Sequence, residues 1–261
     1  MRPSATVILL SHRPALLPQA VASVLRQTMP VQLIVNHAAE LYPTKFNDPA
    51  SIAQGDFIVP LCDDDALHHA YVERCLFFSR DADIVFTDRA VFWTRRDWRN
   101  PSSWFHRSPR TAKTYCHFPK IAELARKGDG AARVGLPPLS FAFGAPFPMT
   151  CLIRRTLWND LGGYAQIAHA DSEFYYRAVK AGARMVYVPE PLFYYRFHEG
   201  NISLERPSNG RAALDFHRKH FLDFGFAFTP HPTLPDEMEC TIIPEAERAE
   251  YARRHGLKVV A

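Results

Sequence analysis

The sequence predicts an α/β fold, with a mostly parallel sheet flanked by helices. Short aliphatic runs alternate with segments of helical periodicity along the first 90 residues. Polar residues follow several of these runs directly, and ligands collect at the carboxyl ends of parallel strands. The chain has 261 residues, 47% of them hydrophobic and 22% charged, which is the composition of a globular protein with a substantial core.

The N-terminal segment predicts a βαβ unit. A strand is expected at 6–10, and after Pro14 a helix follows with Leu17, Val21, Val24 and Leu25 facing inward. A second strand is expected at 31–35. The crossover between two such strands is right-handed, which makes them parallel.

Two further strands extend this pattern. A third strand at 57–61 ends in three aspartates, and a helix with Leu67, Val72, Cys75 and Leu76 inward precedes a fourth strand at 83–87. Regular structure resumes at 151–158, and a Gly-Gly turn then leads to a helix at 171–181 and a strand at 184–188.

The rest of the chain is less regular. Residues 92–149 are rich in proline and predict loops, apart from a short helix at 120–127. Helices at 212–221 and from Pro244 onward predict a C-terminal helical extension. The expected division is therefore a domain at 1–204, with an insertion at about 92–149, and an extension at 205–261.

Basic charge is concentrated in the insertion. Residues 92–117 carry six Arg or Lys against one Asp, or +5, whereas the chain as a whole carries +4. Three of the four tryptophans lie there too. Such a segment suits a nucleic-acid groove, an anionic lipid surface or an acidic glycan carrier. The alternative is a solvated insertion whose tryptophans pack on the domain.

Localisation and redox state follow from composition. No apolar stretch approaches the roughly 18 residues of a spanning helix, and the first apolar run is too short for a signal peptide. We therefore expect a cytoplasmic protein, or one attached peripherally to a membrane. The five cysteines form no C-x-x-C pair, which predicts buried thiols rather than disulfides or a zinc site.

Asp63, Asp64 and Asp65 are the strongest candidate for a metal site. Adjacent carboxylates repel one another unless a cation offsets them, and oxygen ligands suit Mg²⁺ or Mn²⁺. The alternative is that these aspartates cap the following helix.

Asp171 is the candidate general base. It stands at the start of a predicted helix, between a Gly-Gly turn and the polar cluster of Arg196, His198, Asn201 and Ser203. An ionised carboxylate can accept a proton from an attacking hydroxyl. The alternatives are an ordinary N-cap for Asp171 and a surface role for His198. Signatures of dinucleotide-binding, P-loop and G-x-S-x-G enzymes are missing from the sequence.

Five motifs in order resemble the inverting glycosyltransferases of family 2, which have the GT-A fold, a Rossmann-like α/β sheet. The residues that carry the resemblance are Val7-Ile8-Leu9-Leu10-Ser11-His12-Arg13-Pro14, Asn47 with Gly55-Asp56-Phe57-Ile58, Leu61-Cys62-Asp63-Asp64-Asp65, Gly162-Gly163-Tyr164 with Asp171, and Tyr195-Arg196-Phe197-His198.

The resemblance implies a hexosyl transfer from a nucleotide-diphosphate sugar, first of all a UDP-sugar, to a glycan or lipid-linked saccharide. Asp171 is then the catalytic base, and Asp64, Asp65 and His198 hold Mn²⁺ or Mg²⁺. The residues implied at the donor are Leu9, Ser11, Asn36, His37, Asn47, Asp63 and Arg196. Those expected at the acceptor or a polyanion are Trp93, Arg95, Arg96, Trp98, Arg99 and Trp104.

The sequence departs from the family pattern at several places, among them Ser11 in place of a Tyr and a shorter segment from Asn36 to Asn47. Cys62 stands at the first Asp of the D-x-D motif, Asn36-His37 replaces an acidic pair, and Ala170 replaces a Glu before Asp171. Two alternatives therefore stay open. One is a glycosyltransferase acting on nucleic acid, such as a hydroxylated DNA base, and the other is a non-catalytic module that binds a nucleotide sugar.

Overall fold

The computed structural model of the chain describes residues 4–37, 43–93, 113–115, 132–134, 140–142, 149–166, 170–197, 222, 226–230 and 237–256. Its strands are β1 (Ala5–Ser11), β2 (Val31–His37), β3 (Phe57–Cys62), β4 (Ala66–Leu67), β5 (Ile84–Trp93), β6 (Lys113–Tyr115), β7 (Ala132–Val134), β8 (Ser140–Ala142), β9 (Leu152–Arg154), β10 (Met185–Phe197), β11 (Phe226–Pro230) and β12 (Glu237–Ile242). Its α-helices are α1 (Leu17–Leu25), α2 (Asn47–Ser51), α3 (Tyr71–Phe78), α4 (Arg155–Asp160), α5 (Ala170–Lys180) and α6 (Glu245–Arg254), and a 3-10 helix spans Pro43–Phe46.

The main sheet is mixed, with the strand order β2-β1-β3-β9-β5-β10-β4; β6 pairs with β5, and β7 with β10. Its three long ladders, β1 with β2, β1 with β3 and β5 with β10, are parallel. The short ladders made by β4, β6, β7 and β9 are antiparallel. The predicted α/β class is confirmed, and β9 is the antiparallel strand that joins the two parallel halves.

The core forms where alternate strand residues meet the helices. Val7 on β1 and Val59 on β3 share one face of the sheet, and both are completely buried. Val24 of α1 and Val72 of α3 pack on the same cluster. Full burial of a Val or Leu side chain stabilises the fold by about 1.5–3 kcal/mol, so these strands and helices stabilise one another.

Two expected core positions differ in the structure. Leu25 ends α1 with 71% of its surface exposed, so it does not face inward. Leu67 is buried, but in β4 rather than in a helix, because α3 begins only at Tyr71. Leu67 pairs with Phe193 of β10, and that tertiary contact outweighs helical periodicity.

The register of the parallel strands gathers polar residues at one edge. Ser11 at the end of β1 lies opposite His37 of β2, and Leu10 lies opposite both Asn36 and Cys62. The aspartates after Cys62 therefore begin where β1 and β2 end, as parallel pairing predicts.

The C-terminal part contains strands that the sequence did not indicate. β11 and β12 form a three-stranded antiparallel sheet with β8, which belongs to the segment expected to be loops. The predicted helix after Pro244 is present as α6. The helices predicted at 120–127 and 212–221 lie outside the described residues. In the part of the chain that the structure describes, no helix is long and apolar enough to cross a membrane.

Candidate functional site

The acid cluster, Asp63, Asp64 and Asp65, occupies the turn between β3 and β4. α3 starts six residues beyond Asp65, with Ala70 as its N-cap residue. The alternative that these aspartates cap a helix is therefore wrong. All three are buried, with relative exposures of 0%, 7% and 4%, so each carboxylate needs partners within the protein.

Asp63 anchors the loop after β1. Its Oδ2 accepts the backbone N–H of His12 at 2.5 Å and also that of Arg13, while its Oδ1 accepts Arg13 Nη1 at 3.0 Å. Both oxygens thus face protein donors. The resemblance placed Asp63 at the nucleotide-sugar donor. Its side chain is completely buried and instead holds the loop that carries Arg13.

Asp65 and Arg196 form the rear wall of the cluster. The backbone N–H of Arg196 donates to Asp65 Oδ1 at 2.9 Å, and Arg196 Nε donates to the carbonyl of Asp64 at 2.7 Å. Arg196 Nη2 donates to Gln19 of α1. Arg196 is completely buried, so the expected contact with the donor is replaced by a positioning role behind the acid cluster.

The buried charges perturb one another. Burial raises the pKa of Asp65 well above its ordinary value and the charge of Asp64 adds to this, while the Arg196 N–H opposes it. Burial, followed by the charge of Asp64, also raises the pKa of the Cys62 thiol well above its usual range. Cys62 is therefore a neutral neighbour of the aspartates, in the place where the resemblance expects another carboxylate.

Asp64 is the carboxylate that best fits a divalent ion. Its side chain is 9% exposed, against 0% for Asp63, and its Oδ2 lies 3.1 Å from Arg13 Nη1. Mg²⁺ and Mn²⁺ are often held through one or two carboxylates and completed by water and substrate phosphates. One oxygen ligand from Asp64 suits that chemistry.

Of the three-residue metal set implied by the resemblance, the structure describes only Asp64 and Asp65. Among the described residues, no three His, Cys, Asp or Glu side chains are grouped so that they could hold a metal ion. Asp65 bonds to β10 through Oδ1, and His198 lies outside the described residues. The fit to a metal therefore rests on Asp64 together with groups that a bound ligand would supply.

Asp171 lies in the first turn of α5, where it is half-buried. It follows Ala170, the first residue of the helix, so it is not the N-cap residue. The positive end of the helix dipole favours a negative side chain in this turn.

Tyr164 lies near Asp171. Burial raises the pKa of Tyr164 well above its usual range, and the nearby groups Asp171, Cys151 and Cys62 act in the same direction. The start of α5 therefore lies within electrostatic range of this phenol, as does Cys62, the residue before the acid cluster. That Asp171 and the acid cluster face one cleft stays a prediction.

Asn47 clamps the turn that precedes α5. Its Nδ2 donates to the carbonyl of Tyr164 and its Oδ1 accepts the N–H of Tyr164, both at 2.9 Å. The donor contact expected for Asn47 stays a prediction, and these two bonds already use both polar atoms of its side chain. Asn47 is thus a positioning residue for Tyr164.

Arg177 ties the same turn to α5. Its guanidinium donates to the carbonyls of Leu161 and Gly163, the latter at 2.6 Å, and forms an ion pair with Glu173 one helical turn earlier. Trp158, Tyr164 and Phe174 pack ring against ring beneath the turn, with centroids 4.7–5.4 Å apart. The start of α5 is therefore fixed by both polar and aromatic contacts.

Gly163→Ala should lower the free energy of unfolding by about 3 kcal/mol. Gly163 has φ +69°, and an added Cβ would lie 2.3 Å from Asn47 Oδ1, so left-handed strain and overpacking both act. The matched control is Gly162→Ala, with φ +73° and nothing within 4 Å, which should cost about 1 kcal/mol. Urea unfolding measures both, and equal losses would contradict the proposed clamp.

The other residues that the resemblance places at the nucleotide-sugar donor differ in burial. Leu9 is completely buried in the core and paired on both sides, so its expected donor contact is wrong for the side chain. Ser11 is nearly buried at the end of β1, and Asn36 donates to the carbonyl of Lys45 at 2.7 Å. His37 is exposed at the end of β2.

Of the basic segment at 92–117, the structure describes residues 92–93 and 113–115. Trp93 ends β5, and its backbone pairs with Phe197 of β10. The other residues expected at an acceptor or polyanion lie outside the described residues: Arg95, Arg96, Trp98, Arg99 and Trp104.

Sequence reasoning assigned no role to Arg13, Gln19 or Tyr164. Arg13 did carry a signal, because it directly follows the polar end of β1 within a family motif. Tyr164 also stands in a family motif, whereas Gln19 is an ordinary helix residue in the sequence. Only the folded arrangement brings Gln19 to Arg196 and Tyr164 to Asp171.

Comparison with known proteins supports the fold. No protein-family model matches the sequence, and no curated protein matches it either. Among solved structures, S. aureus TarS 1-349 in complex with UDP-GlcNAc is similar, with a TM-score of 0.57 and 14% identity over 82% of this chain. Mannosyltransferase PcManGT from Pyrobaculum calidifontis, in complex with GDP-Man and Mn²⁺, gives a TM-score of 0.52 and 14% identity over 86% of this chain.

The chain spans 64% of the TarS chain and 63% of the PcManGT chain. At these identities the likeness establishes the fold alone. The expected fold class, a GT-A type α/β sheet, is therefore confirmed.

Proposed function

We propose that the protein is a glycosyltransferase that moves a hexosyl group from a nucleotide-diphosphate sugar to an acceptor hydroxyl, with inversion at the anomeric carbon. The observation that carries this proposal is the buried acid cluster at the carboxyl edge of a GT-A type sheet, with Arg13 paired to two of its aspartates. Two proteins of similar fold bind UDP-GlcNAc and GDP-Man, which supports a nucleotide-sugar donor.

The proposed reaction is a single displacement. The acceptor oxygen forms a bond to the anomeric carbon as the bond from that carbon to the diphosphate oxygen breaks. The bonding pair leaves with the nucleoside diphosphate, and Asp171 accepts the proton of the acceptor hydroxyl. The start of α5 holds the Asp171 carboxylate, and the clamp of Asn47 on Tyr164 keeps that helix in position.

We assign the donor diphosphate to the side of Arg13 and Asp64. Arg13 is a permanent cation whose planar fork matches phosphate oxygens. A Mn²⁺ or Mg²⁺ ion bound at Asp64 would supply Lewis-acid stabilisation of the charge that develops on the departing diphosphate. Asp63 and Arg196 act indirectly, by fixing the loop after β1 and the backbone of Asp64.

The test is nucleotide release from a panel of donors. UDP-glucose, UDP-GlcNAc and GDP-mannose are incubated with the protein and Mn²⁺, with and without oligosaccharide or lipid-linked saccharide acceptors. We expect release from a UDP-sugar, increased by an acceptor, and an inverted anomer by NMR. A product of retained configuration would overturn the single displacement.

The same panel, with duplex DNA that carries hydroxymethylated bases added as an acceptor, tests the two other functions. Donor binding with no release under any condition would indicate a non-catalytic binding module. The presence of Cys62 in place of the first Asp of the D-x-D motif favours this alternative. Transfer only to duplex DNA carrying hydroxymethylated bases would replace the glycan acceptor by nucleic acid. We propose the glycan or lipid-linked acceptor first.

A further inference from the structure

Arg13 bridges two of the three aspartates with one nitrogen. Its Nη1 lies 3.0 Å from Asp63 Oδ1 and 3.1 Å from Asp64 Oδ2. The Arg13 side chain is only 20% exposed, so solvent screens these contacts incompletely. An arginine stays charged at every physiological pH, so the aspartates have a permanent counter-cation.

The two contacts of Arg13 differ in how easily they can be released. Asp63 also accepts the backbone N–H groups of His12 and Arg13 through its other oxygen, so the loop after β1 stays anchored when the Arg13 side chain moves. Giving up Asp64 would break one ion pair and leave the anchor on Asp63 in place. Arg13 can therefore leave Asp64 while its own backbone stays fixed.

We infer that Arg13 is a counter-cation that competes with the divalent ion for Asp64. When a nucleotide diphosphate binds, the Arg13 guanidinium leaves Asp64 for the diphosphate, and Asp64 becomes available to the metal ion. The inference rests on the proposed function and adds a coupling between its two ligands. Metal binding alone must displace a guanidinium, which opposes it. A diphosphate offers the displaced guanidinium new oxygen acceptors, so metal and nucleotide bind better together.

Neighbouring charges support this competition. Asp63, Asp64 and Asp65 bring three carboxylates, and the guanidiniums of Arg13 and Arg196 both contact this cluster. Arg196 is buried and bonded to the backbone of Asp64, so it cannot give way to a metal without unfolding the rear wall. Of these two cations, Arg13 is the exchangeable one.

The experiment measures Mn²⁺ binding to the whole protein by electron paramagnetic resonance, with and without UDP. Arg13→Gln removes the charge and should bind Mn²⁺ alone about 10-fold more tightly than the wild type, within the usual range of coupling between sites. UDP should also increase the Mn²⁺ affinity of this variant less than it does that of the wild type. An affinity for Mn²⁺ alone that is unchanged or weaker would overturn the inference.

Two further variants control for misfolding and for the role of the charge. Arg13→Met is a second neutral variant with the same expected result, so the test survives if the Gln variant fails to fold. Arg13→Lys keeps the positive charge and should stay within about twofold of the wild type, because the competition is one of charge. A Lys variant that binds Mn²⁺ as tightly as the neutral variants would overturn the charge argument.

The outcomes separate this inference from the proposed function. If the wild type transfers sugar and binds Mn²⁺, yet the neutral variants match its Mn²⁺ affinity, only the inference fails. If the variants behave as expected but no donor is turned over, the proposed transfer fails and the competition stands. If neither wild type nor variants bind Mn²⁺ with UDP present, the metal site at Asp64 fails, and the inference with it.

Discussion

Asp171→Asn should lower kcat for sugar transfer by about 1,000-fold while leaving UDP affinity within about twofold of the wild type, since general-base catalysis typically contributes factors of this size. The amide keeps the size of the carboxylate, but it cannot accept the proton of the acceptor hydroxyl. Asp171 lies in the first turn of α5, and we assign the diphosphate to other residues, Arg13 and Asp64. The loss should therefore appear in kcat rather than in nucleotide binding.

The matched control is Asp160→Asn. Asp160 is an exposed aspartate at the end of α4, where the same change of charge should leave transfer unaffected. Steady-state kinetics and calorimetric titration with UDP are measured on both variants. Full activity of the Asp171→Asn variant would remove Asp171 from the mechanism, and a large loss of UDP affinity would move it to the donor side.

The parallel half of the sheet made by β1, β2 and β3 could be predicted from the sequence because its signals are local. β1, β2 and β3 are aliphatic runs of six or seven residues, long enough to show a pattern, and polar residues follow directly. Parallel pairing then determines that Ser11, His37 and Cys62 meet at one edge. The acid cluster was found in the same way.

The short antiparallel strands of the main sheet could not be predicted, because they are too short to carry a period. β4 has two residues and β9 has three, yet β9 joins the halves of the sheet and β4 moves Leu67 out of the expected helix. Their conformation is set by pairing with distant strands. Propensity over two or three residues is too weak to compete with that pairing.

The roles of individual site residues were the least predictable part. The resemblance put Asn47 and Arg196 at the donor, but their partners lie far away in the sequence. Asn47 bonds to Tyr164, 117 residues on, and Arg196 bonds to Asp65, 131 residues before it. A motif specifies that such a residue is polar and suitably spaced. Whether it faces a ligand or another strand depends on packing, as the complete burial of Arg196 illustrates.

Asp64→Asn should lower the Mn²⁺-dependent rate of transfer by about 1,000-fold, because Lewis-acid stabilisation of a departing oxyanion contributes several kcal/mol. The Asp64 side chain is 9% exposed, and we assign it to the metal. The substitution removes its negative charge. The Arg196 bond to the Asp64 carbonyl involves the backbone and should survive. We therefore expect a folded protein with a thermal midpoint close to that of the wild type.

Asp81→Asn provides the comparison, since Asp81 is exposed and remote from β3 in sequence. Rates are measured over a Mn²⁺ titration for wild type and both variants. The Asp64→Asn variant should also bind Mn²⁺ weakly in the presence of UDP, which ties the kinetic loss to the ion rather than to the acceptor. Were this variant to respond to Mn²⁺ as the wild type does, the metal would have to bind elsewhere. Asp64 would then be only an ion-pair partner of Arg13. The proposed competition between Arg13 and the metal would fail as well, since it requires that the metal bind to Asp64.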